Sequence, residues 1–252
     1  MKFIRFLSKE KPVYGIVEGE SVIKIEGSPF TQYVVTKIKF NLSNLKILPP
    51  CEPSKIIGIA LNYRRHAEEI GKGLPEEPEF FIKPSTAVIA HEEKIIYPNM
   101  TQKLGFEAEL AVVIKKKAKD LSEEEAMDYV LGYTCFNDVS ARDIQNREKH
   151  RTRAKSFDTF APTGPFLVTD IDLSNLAIKS YLNGSIRQSS TTEQLIFSIR
   201  KLVSFVSQSL TLLPGDLIAT GTPEKTGLMV PGDTIEVEIE QVGKLRNYVV
   251  SP

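Results

Sequence analysis

The sequence predicts an α+β fold that is mostly β and is built around one large twisted β core. Three observations lead to this prediction: strand-like segments are numerous, helical patterns are few, and the two do not alternate regularly. Regular alternation is typical of a doubly wound α/β sheet, so that class is excluded. At about 150 residues per domain, the 252 residues make one large domain, or one with a small appendage.

The first 53 residues predict a small β-rich N-terminal domain. Val13–Val17 and Val22–Ile25 are apolar-rich runs on either side of Glu18-Gly19-Glu20, which is typical of a hairpin. Three prolines between positions 49 and 53 then interrupt the chain, because proline lacks a backbone donor and keeps the preceding residue extended. We therefore place a domain boundary near residue 53 and a larger domain over 54–252.

The larger domain contains seven predicted strands, which we recognise by β-branched content or by alternation. They are Ile56–Leu61, Phe106–Ile114, Tyr133–Phe136, Phe166–Thr169, Ile178–Leu182, Leu217–Thr220 and Ile235–Ile239. Two Pro-Gly-Asp sequences, at Pro214 and Pro231, precede the last two strands and suit type II turns.

Three helices are predicted in the same domain from capping patterns and apolar spacing. They are Ala126–Leu131 behind a capping box of Ser122 with Glu125, Ser140–Lys149 behind a cap at Asp138 or Ser140, and a long helix that Thr191 with Gln194 opens. The long helix carries an apolar stripe at helical spacing, formed by Leu195, Ile199, Leu202 and Val206.

Charge and composition limit the function. The chain has 32 basic and 32 acidic residues, and a general nucleic-acid-binding protein would carry a basic excess. No apolar run approaches the roughly 20 residues that cross a bilayer, and the N-terminus lacks the features of a signal peptide. Cys51 and Cys135 are far apart and suit free thiols in a reducing compartment. We therefore expect a cytoplasmic protein that has neither nucleic acid nor membrane as a partner.

Two glutamates lie on one predicted strand. Glu107 and Glu109 are two residues apart, so their side chains share a face and their Cα atoms are about 6.5–7 Å apart. Carboxylates this close repel each other unless a cation lies between them or one is protonated. The alternative is an exposed polar strand end, and the strand alone leaves both interpretations open.

Asp138 directly follows another predicted strand. It is either a helix N-cap or a third carboxylate beside the two glutamates. Three such oxygen donors suit a hard divalent cation, Mg²⁺ or Mn²⁺, and leave coordination positions open. The three donors are all carboxylates with no Cys or His among them, which argues against zinc.

His66 and Glu69 are a candidate acid–base pair. They are three residues apart and become neighbours if the segment is helical. A carboxylate next to an imidazole fixes its tautomer and stabilises its cation, which is what a general base needs. Gly71 and Gly73 would let the segment hinge as a lid. The alternative is an exposed charged helix with an incidental ion pair.

A basic stretch begins in the last turn of the second predicted helix and continues beyond it. It contains Arg147, Lys149, Arg151, Arg153 and Lys155. No aromatic residue lies among them, so stacking on nucleic-acid bases is not indicated. The stretch is either a solvated loop or a clamp for an anionic substrate.

Taken together and in order, these segments resemble the fumarylacetoacetate hydrolase family over about residues 55–250. The resemblance rests on Asn62-Tyr63, His66, Glu69, Phe81-Ile82-Lys83-Pro84, Glu107-Ala108-Glu109-Leu110, Asn137-Asp138-Val139-Ser140-Ala141-Arg142-Asp143, Lys155-Ser156-Phe157-Asp158, Gly164-Pro165, Asn183-Gly184, Pro214-Gly215-Asp216 and Thr220-Gly221-Thr222-Pro223. The N-terminal unit is also similar to one carried by many bacterial and archaeal members.

The resemblance implies a mixed β-sandwich roll, a homodimer and a bound Mg²⁺, Mn²⁺ or Ca²⁺. It also implies roles for nine residues: Glu107, Glu109 and Asp138 as metal ligands, His66, Glu69 and Lys155 as catalytic residues, and Arg142, Gln145 and Thr222 as substrate-binding residues. Two departures from the family pattern bear on the substrate. Gly105 stands where many relatives have Asp or His, and Glu224-Lys225-Thr226-Gly227 stands where many have Gly-Val-Gly.

The implied function is a metal-dependent enzyme that acts on a small anionic 2-oxo or 1,3-dicarbonyl acid. It resembles 2-hydroxyhepta-2,4-diene-1,7-dioate isomerases and acylpyruvate hydrolases of aromatic catabolism, which carry out enol–keto isomerisation or C–C bond hydrolysis. Oxaloacetate decarboxylation or tautomerisation is a close alternative. The alternative of another class is a catalytically idle homologue that binds a metal and an oxo acid.

Overall fold

The N-terminal hairpin lies where the sequence predicts it. The computed structural model describes residues 1–252, and the N-terminal strands are β1 (Lys2–Ser8), β2 (Lys11–Glu18), β3 (Ser21–Gly27), β4 (Tyr33–Asn41) and β5 (Ile47–Leu48). β2 and β3 pair antiparallel across a turn in which Gly19 has φ of +61°. Glycine favours this turn because it has no Cβ to clash in a left-handed conformation.

Fifteen further strands follow, and each of the seven predicted ones overlaps an observed strand. They are β6 (Lys55–Ala60), β7 (Glu79–Pro84), β8 (Val88–Ile89), β9 (Lys94–Ile96), β10 (Leu104–Phe106), β11 (Ala108–Ile114), β12 (Val130–Asn137), β13 (Ser140–Ala141), β14 (Ala161–Val168), β15 (Ala177–Leu182), β16 (Ser185–Thr191), β17 (Leu217–Ala219), β18 (Gly227–Met229), β19 (Thr234–Ile239) and β20 (Gly243–Val250). The predicted mostly-β α+β architecture is confirmed.

The strands form three sheets. The large sheet has twelve strands in the order β4-β3-β2-β1-β14-β12-β11-β17-β6-β7, with β5 on β1 and β8 on β14. A five-stranded sheet, β16-β15-β19-β20-β9, packs against it, and a three-stranded sheet, β13-β10-β18, completes the fold. Because β1 pairs with β14, the N-terminal strands extend the large sheet.

The main apolar core lies between the two larger sheets. Leu110 and Val112 of β11 pack there with Ile178 of β15 and Val237 of β19. The opposite face of β11 is also apolar and buried in a second cluster. β11 therefore lies in the protein interior, and any charged group at its end is withdrawn from water.

The predicted strand over Phe106–Ile114 is interrupted at Glu107. β10 belongs to the three-stranded sheet and β11 to the large sheet, so Glu107 lies at the junction between them. The backbone N–H of Glu107 donates to Asn137 Oδ1 at 3.0 Å, and its carbonyl accepts from the Asp138 N–H at 2.9 Å. These bonds satisfy the backbone where the strand breaks.

The four α-helices are short, and the first two helix predictions need correction. The helices are α1 (Arg64–Glu69), α2 (Arg142–Arg147), α3 (Thr152–Lys155) and α4 (Ile199–Ser209). The Ser122–Glu125 capping box forms, but only a 3₁₀ turn over Ala126–Tyr129 follows, because Val130 pairs with Ile114 in the large sheet. The second predicted helix begins at Arg142 and has no side-chain cap, since Ser140 is drawn into β13 opposite Gly105.

The longest helix also begins later than predicted. Its N-cap is Ser198, whose hydroxyl accepts from the Lys201 N–H at 3.3 Å. Thr191 ends β16, a 3₁₀ turn follows, and Leu195 lies before the helix in a bridge to Tyr63. Pairing with neighbouring segments has overridden the local capping pattern. None of the helices has the length and apolar character that crossing a bilayer requires.

Candidate metal centre and substrate cavity

Glu107, Glu109 and Asp138 converge at the end of β11. Because β11 and β12 are antiparallel with Ala108 opposite Asn137, the residue after β12 lies beside the strand break. One carboxylate oxygen from each of the three residues lies within 4.8 Å of the others. All three side chains are buried, which excludes the exposed strand end as an interpretation of the glutamates.

Three cations surround this carboxylate cluster. Lys155 Nζ donates to Glu107 Oε2 at 2.7 Å and to Asp138 Oδ2 at 2.5 Å. Arg142 Nη1 lies 2.6 Å from Glu107 Oε1. Lys83, which is fully buried, forms an ion pair with Asp138 and donates to the carbonyl of Val139 at 3.1 Å. Asp138 is therefore held by two lysines and does not act as a helix cap.

The two glutamates differ in their electrostatic environment. Burial favours the neutral form of Glu107, but Arg142 and Lys155 outweigh burial and lower its pKa. Burial together with repulsion from Asp138 and Glu107 raises the pKa of Glu109 well above its ordinary value. The charge of Lys155 and the Gly221 N–H, which lies 2.9 Å from Glu109 Oε2, oppose this only in part. Glu109 thus carries the least compensated charge of the cluster.

The chemistry of the donor set fits a hard divalent cation. Three buried carboxylates supply anionic oxygens, and neither of the two cysteines belongs to the group. Carboxylate oxygens are preferred ligands of Mg²⁺ and Mn²⁺, whereas zinc favours nitrogen and sulfur. A cation here would also relieve the repulsion that raises the pKa of Glu109.

The cluster opens into a cavity of about 160 Å³. The cavity is lined by Ile59, Ala60, Leu61, His66, Ile70, Lys72, Phe81, Glu107, Glu109, Arg142, Gln145, Arg151, Lys155 and Thr222. Seven of the nine predicted site residues line it, while Glu69 and Asp138 lie directly behind His66 and Lys155. The structure therefore brings all nine residues together.

The predicted His66–Glu69 pair is present on α1. His66 Nδ1 lies 3.0 Å from Glu69 Oε2, and the imidazole borders the cavity. The Glu69 carboxylate also accepts from the Lys225 N–H, at 3.0 and 3.2 Å to its two oxygens. Glu69 thus connects α1 to the loop that follows Thr222, and the charged helix is not simply solvated.

The sequence assigned no role to two further residues at the site, Lys83 and Phe81, and left Arg151 in a basic stretch that was either a solvated loop or a substrate clamp. Lys83 reaches Asp138 from β7, and Arg151 borders the cavity while paired with Glu79. The ring of Phe81 lies under Lys155, whose Nζ is 5.1 Å from the ring centroid. The sequence contained one signal for Lys83, which is a lysine among apolar residues directly before Pro84. A lysine that is buried with such neighbours requires a partner.

Arg142 occupies the space that Gly105 leaves open. Its side chain donates to Gln145 Oε1 at 3.3 Å as well as pairing with Glu107. A Cβ at position 105 would lie 2.6 Å from Arg142 Nε, which is too close for a real contact. The absence of a side chain at Gly105 therefore allows the arginine to reach Glu107.

Family models match both parts of the chain. Residues 55–250 match the fumarylacetoacetate (FAA) hydrolase C-terminal model, and residues 1–50 match a model described as Rv2993c-like, N-terminal. An oxaloacetate tautomerase, fahd2, from Xenopus laevis is 39% identical over 92% of this chain and 76% of its own length.

Two solved structures are similar over almost their whole length. The 5-carboxymethyl-2-hydroxymuconate delta-isomerase from Mycobacterium smegmatis is 38% identical, with a TM-score of 0.94 over 100% of both chains. A maleylpyruvate hydrolase from Sphingobium sp. SYK-6, in complex with manganese(II) and pyruvate, is 28% identical, with a TM-score of 0.83 over 100% of this chain and 99% of its own. Together with the family match over most of the sequence, these similarities show that the chain belongs to the fumarylacetoacetate hydrolase family.

Proposed function

We propose that the protein is a divalent-metal-dependent enzyme that acts on a small 2-oxo or 1,3-dicarbonyl acid by C–C bond hydrolysis or enol–keto isomerisation. The observation that supports this most strongly is the buried cluster of Glu107, Glu109 and Asp138 at the base of a cavity bordered by His66 and Lys155. The similar maleylpyruvate hydrolase holds manganese and pyruvate. We propose Mg²⁺ or Mn²⁺ as the cofactor, with Ca²⁺ as the alternative.

The cation and the chain have separate tasks in this proposal. A divalent cation held by the three carboxylates supplies Lewis-acid polarisation of the substrate's oxo group. Lys155 places a fixed positive charge beside the oxygen that gains negative charge, and Arg142 and Gln145 orient the substrate carboxylate. Removing one such preorganised donor commonly costs about 10²–10³-fold in rate.

His66 is the proton-transfer group. A carboxylate can only accept, so the contact with Glu69 keeps the proton on Nδ1 and leaves Nε2 free as a base. For hydrolysis, Nε2 takes a proton from water while the water oxygen bonds to the distal carbonyl carbon. The C–C bond then breaks and its electron pair remains on the 2-oxo acid as an enolate. The proton that Nε2 took from water is returned to the enolate carbon, which gives the keto form. For isomerisation, the same nitrogen moves a proton between oxygen and carbon.

Oxaloacetate tautomerisation or decarboxylation is the second candidate. It is favoured by the 39% identity to the Xenopus oxaloacetate tautomerase over 92% of this chain. The small cavity, about 160 Å³, also suits a short oxo acid. The same residues serve either reaction, because each one passes through an enolate whose negative charge Lys155 stabilises.

The test is a panel of substrates with and without metal. Acetylpyruvate, fumarylpyruvate, oxaloacetate and a 2-hydroxydienedioate are assayed side by side in Mg²⁺, Mn²⁺, Ca²⁺ and EDTA. We expect at least one substrate to turn over, with activity lost in EDTA and restored by metal. Full activity in EDTA would contradict the proposal, and tight oxo-acid binding without turnover would favour the idle homologue instead.

We also propose a homodimer, on the basis of the family resemblance. Sedimentation velocity at micromolar concentration measures it directly. A sedimentation coefficient for a species of twice the 28.2 kDa chain mass is the expected result, and a monomer would contradict it.

A further inference from the structure

Gln188 of β16 is a buried amide that joins three parts of the site without lining the cavity. Its side chain is fully buried. Gln188 Oε1 accepts from the Ala108 N–H and from the Ser180 hydroxyl, both at 3.1 Å. Gln188 Nε2 donates to Thr222 Oγ1 at 2.9 Å and to the carbonyl of Pro223 at 2.8 Å. Every polar atom of this side chain therefore has a partner near the carboxylate cluster.

Thr222 closes these contacts into a ring. Its hydroxyl donates to the carbonyl of Ala108 at 2.9 Å while accepting from Gln188 Nε2. The orientation of the amide is unambiguous, because one end faces a backbone N–H and the other faces carbonyl oxygens. The ring thus runs from the Ala108 N–H through Gln188 and Thr222 back to the Ala108 carbonyl, and it uses the only hydroxyl proton of Thr222.

The ring holds the one residue between the two glutamates. Ala108 separates Glu107 from Glu109, so fixing its N–H and carbonyl fixes the backbone from which both carboxylates project. The segment that carries Thr222 also binds this strand through the Thr220 N–H, at 3.0 Å from the Leu110 carbonyl, and through the Gly221 N–H on Glu109. Gln188 therefore anchors the loop that supplies a direct hydrogen bond to Glu109.

We propose that Gln188 and Thr222 are positioning residues that act as one unit, through Ala108, to set the spacing of Glu107 and Glu109 for a divalent cation. This inference rests on the proposed function, because it takes the carboxylate cluster as the metal site. Thr222 then acts through its contacts with Ala108 and Gln188, and its hydroxyl does not donate to the substrate. Residues that orient metal ligands typically contribute about 10–100-fold to metal affinity.

The experiment measures Mn²⁺ affinity by calorimetry on Gln188→Met, Thr222→Val, their double variant and Thr222→Ser. Each variant is used at a temperature at which circular dichroism shows it to be folded. We expect the two single variants to bind Mn²⁺ about 10-fold more weakly or worse, and the double variant to bind no more weakly than the weaker single variant. Thr222→Ser keeps the hydroxyl, so its affinity for Mn²⁺ should stay within about threefold of the wild-type affinity.

A matched control separates positioning from general stability. Asn247 is also a buried amide, and it donates to the carbonyls of Ala90 and Glu93 at 2.8 and 2.9 Å, outside the site. Asn247→Leu should lower Tm and leave Mn²⁺ affinity unchanged. A merely structural role for Gln188 would give the same result in Gln188→Met.

Four outcomes would overturn the inference. Unchanged affinity in folded Gln188→Met, or single effects that multiply in the double variant, would contradict a single positioning unit. A Thr222→Val variant with higher KM and unchanged affinity would show that Thr222 binds the substrate directly. A wild type without Mn²⁺ affinity would refute this inference and the proposed metal site together, whereas the first three outcomes refute this inference alone. If Gln188→Met does not fold, Thr222→Val and Thr222→Ser decide the question.

Discussion

Glu109 is the least compensated carboxylate of the buried cluster. Glu107 has Arg142 and Lys155 beside it, and Asp138 has Lys83 and Lys155. Glu109 forms no ion pair: the charge of Lys155 acts on it without direct contact, and its hydrogen-bond donor is the Gly221 N–H. A buried carboxylate with two anionic neighbours and so little compensation is an electrostatic cost to the protein. A bound cation would offset that cost at this residue more than at either of the others.

The first prediction concerns Glu109→Gln and has a definite pH sign. The raised pKa means that folded, metal-free protein keeps a proton on Glu109 over a pH range in which the unfolded chain has lost it. The free energy of unfolding therefore falls as pH rises above the ordinary carboxyl range, and Glu109→Gln removes this fall. Urea unfolding of the metal-free wild type and of metal-free Glu109→Gln between pH 5 and 8 measures how the free energy of unfolding of each protein changes with pH.

The same variant should lose metal affinity and turnover together. The pKa of Glu107 is lowered, so this carboxyl changes the stability only at lower pH, where it becomes protonated. Glu107 therefore does not contribute to the pH dependence of the free energy of unfolding above the ordinary carboxyl range. Equal pH slopes for wild type and Glu109→Gln would contradict the electrostatic assignment. Retained metal affinity in the variant would remove Glu109 from the ligand set.

The second prediction concerns His66. We expect His66→Ala to retain metal affinity and to lose about 10²–10⁴-fold in kcat, which is the usual contribution of a positioned general base. Steady-state kinetics together with Mn²⁺ titration separates the two quantities. His91→Ala is the matched control, because His91 lies in another surface depression with Glu92 and Glu93. Full activity in His66→Ala would show that another group transfers the proton.

At the scale of elements, the junction between β10 and β11 builds the site. The strand that the sequence predicts over Phe106–Ile114 divides at Glu107 so that its two parts enter different sheets. The alternation within β11 was predictable from local apolar spacing, whereas the break was not, because buried amides from Asn137 and Gln188 satisfy the backbone there. Such long-range side-chain bonds leave no periodic signal near the break.

The third prediction tests the close packing at this junction. Gly105→Ala places a methyl group in the space of the Arg142 side chain, and it should displace that guanidinium from Glu107. We expect KM for the oxo acid to rise about 10-fold, since each 1.4 kcal/mol of lost binding is a factor of ten. Arg142→Lys loses the planar guanidinium fork, so its KM for the oxo acid should also rise. An unchanged KM in Gly105→Ala would contradict the steric argument.

At the scale of the whole molecule, equal numbers of acidic and basic residues conceal strong local charge. Three carboxylates face three cations within one buried region, and Lys72 and Arg151 lie at the cavity wall. The composition alone predicted that the protein has no general basic surface. The position of Lys83 could not be predicted in this way, because it depends on β7 lying beside β6 at the edge of the large sheet. Asp138 likewise reaches the glutamates only through the register of β11 with β12.

The fourth prediction concerns global stability. A cation that binds only the folded state stabilises it by mass action, by about 2.7 kcal/mol when its concentration is 100 times its Kd. We expect Mn²⁺ to raise Tm in the wild type and to have little effect on Asp138→Asn, because the variant loses an anionic ligand. Differential scanning calorimetry with and without Mn²⁺ measures this. An equal rise in both proteins would place the binding elsewhere.

Anomalous X-ray diffraction from a crystal soaked with Mn²⁺ locates the cation itself. We expect one strong manganese peak in the buried cluster, with carboxylate oxygens of Glu107, Glu109 and Asp138 at about 2.0–2.3 Å, close to the distances that small divalent cations adopt with oxygen ligands. A peak elsewhere, or a manganese ion coordinated by other residues, would contradict the proposed metal site.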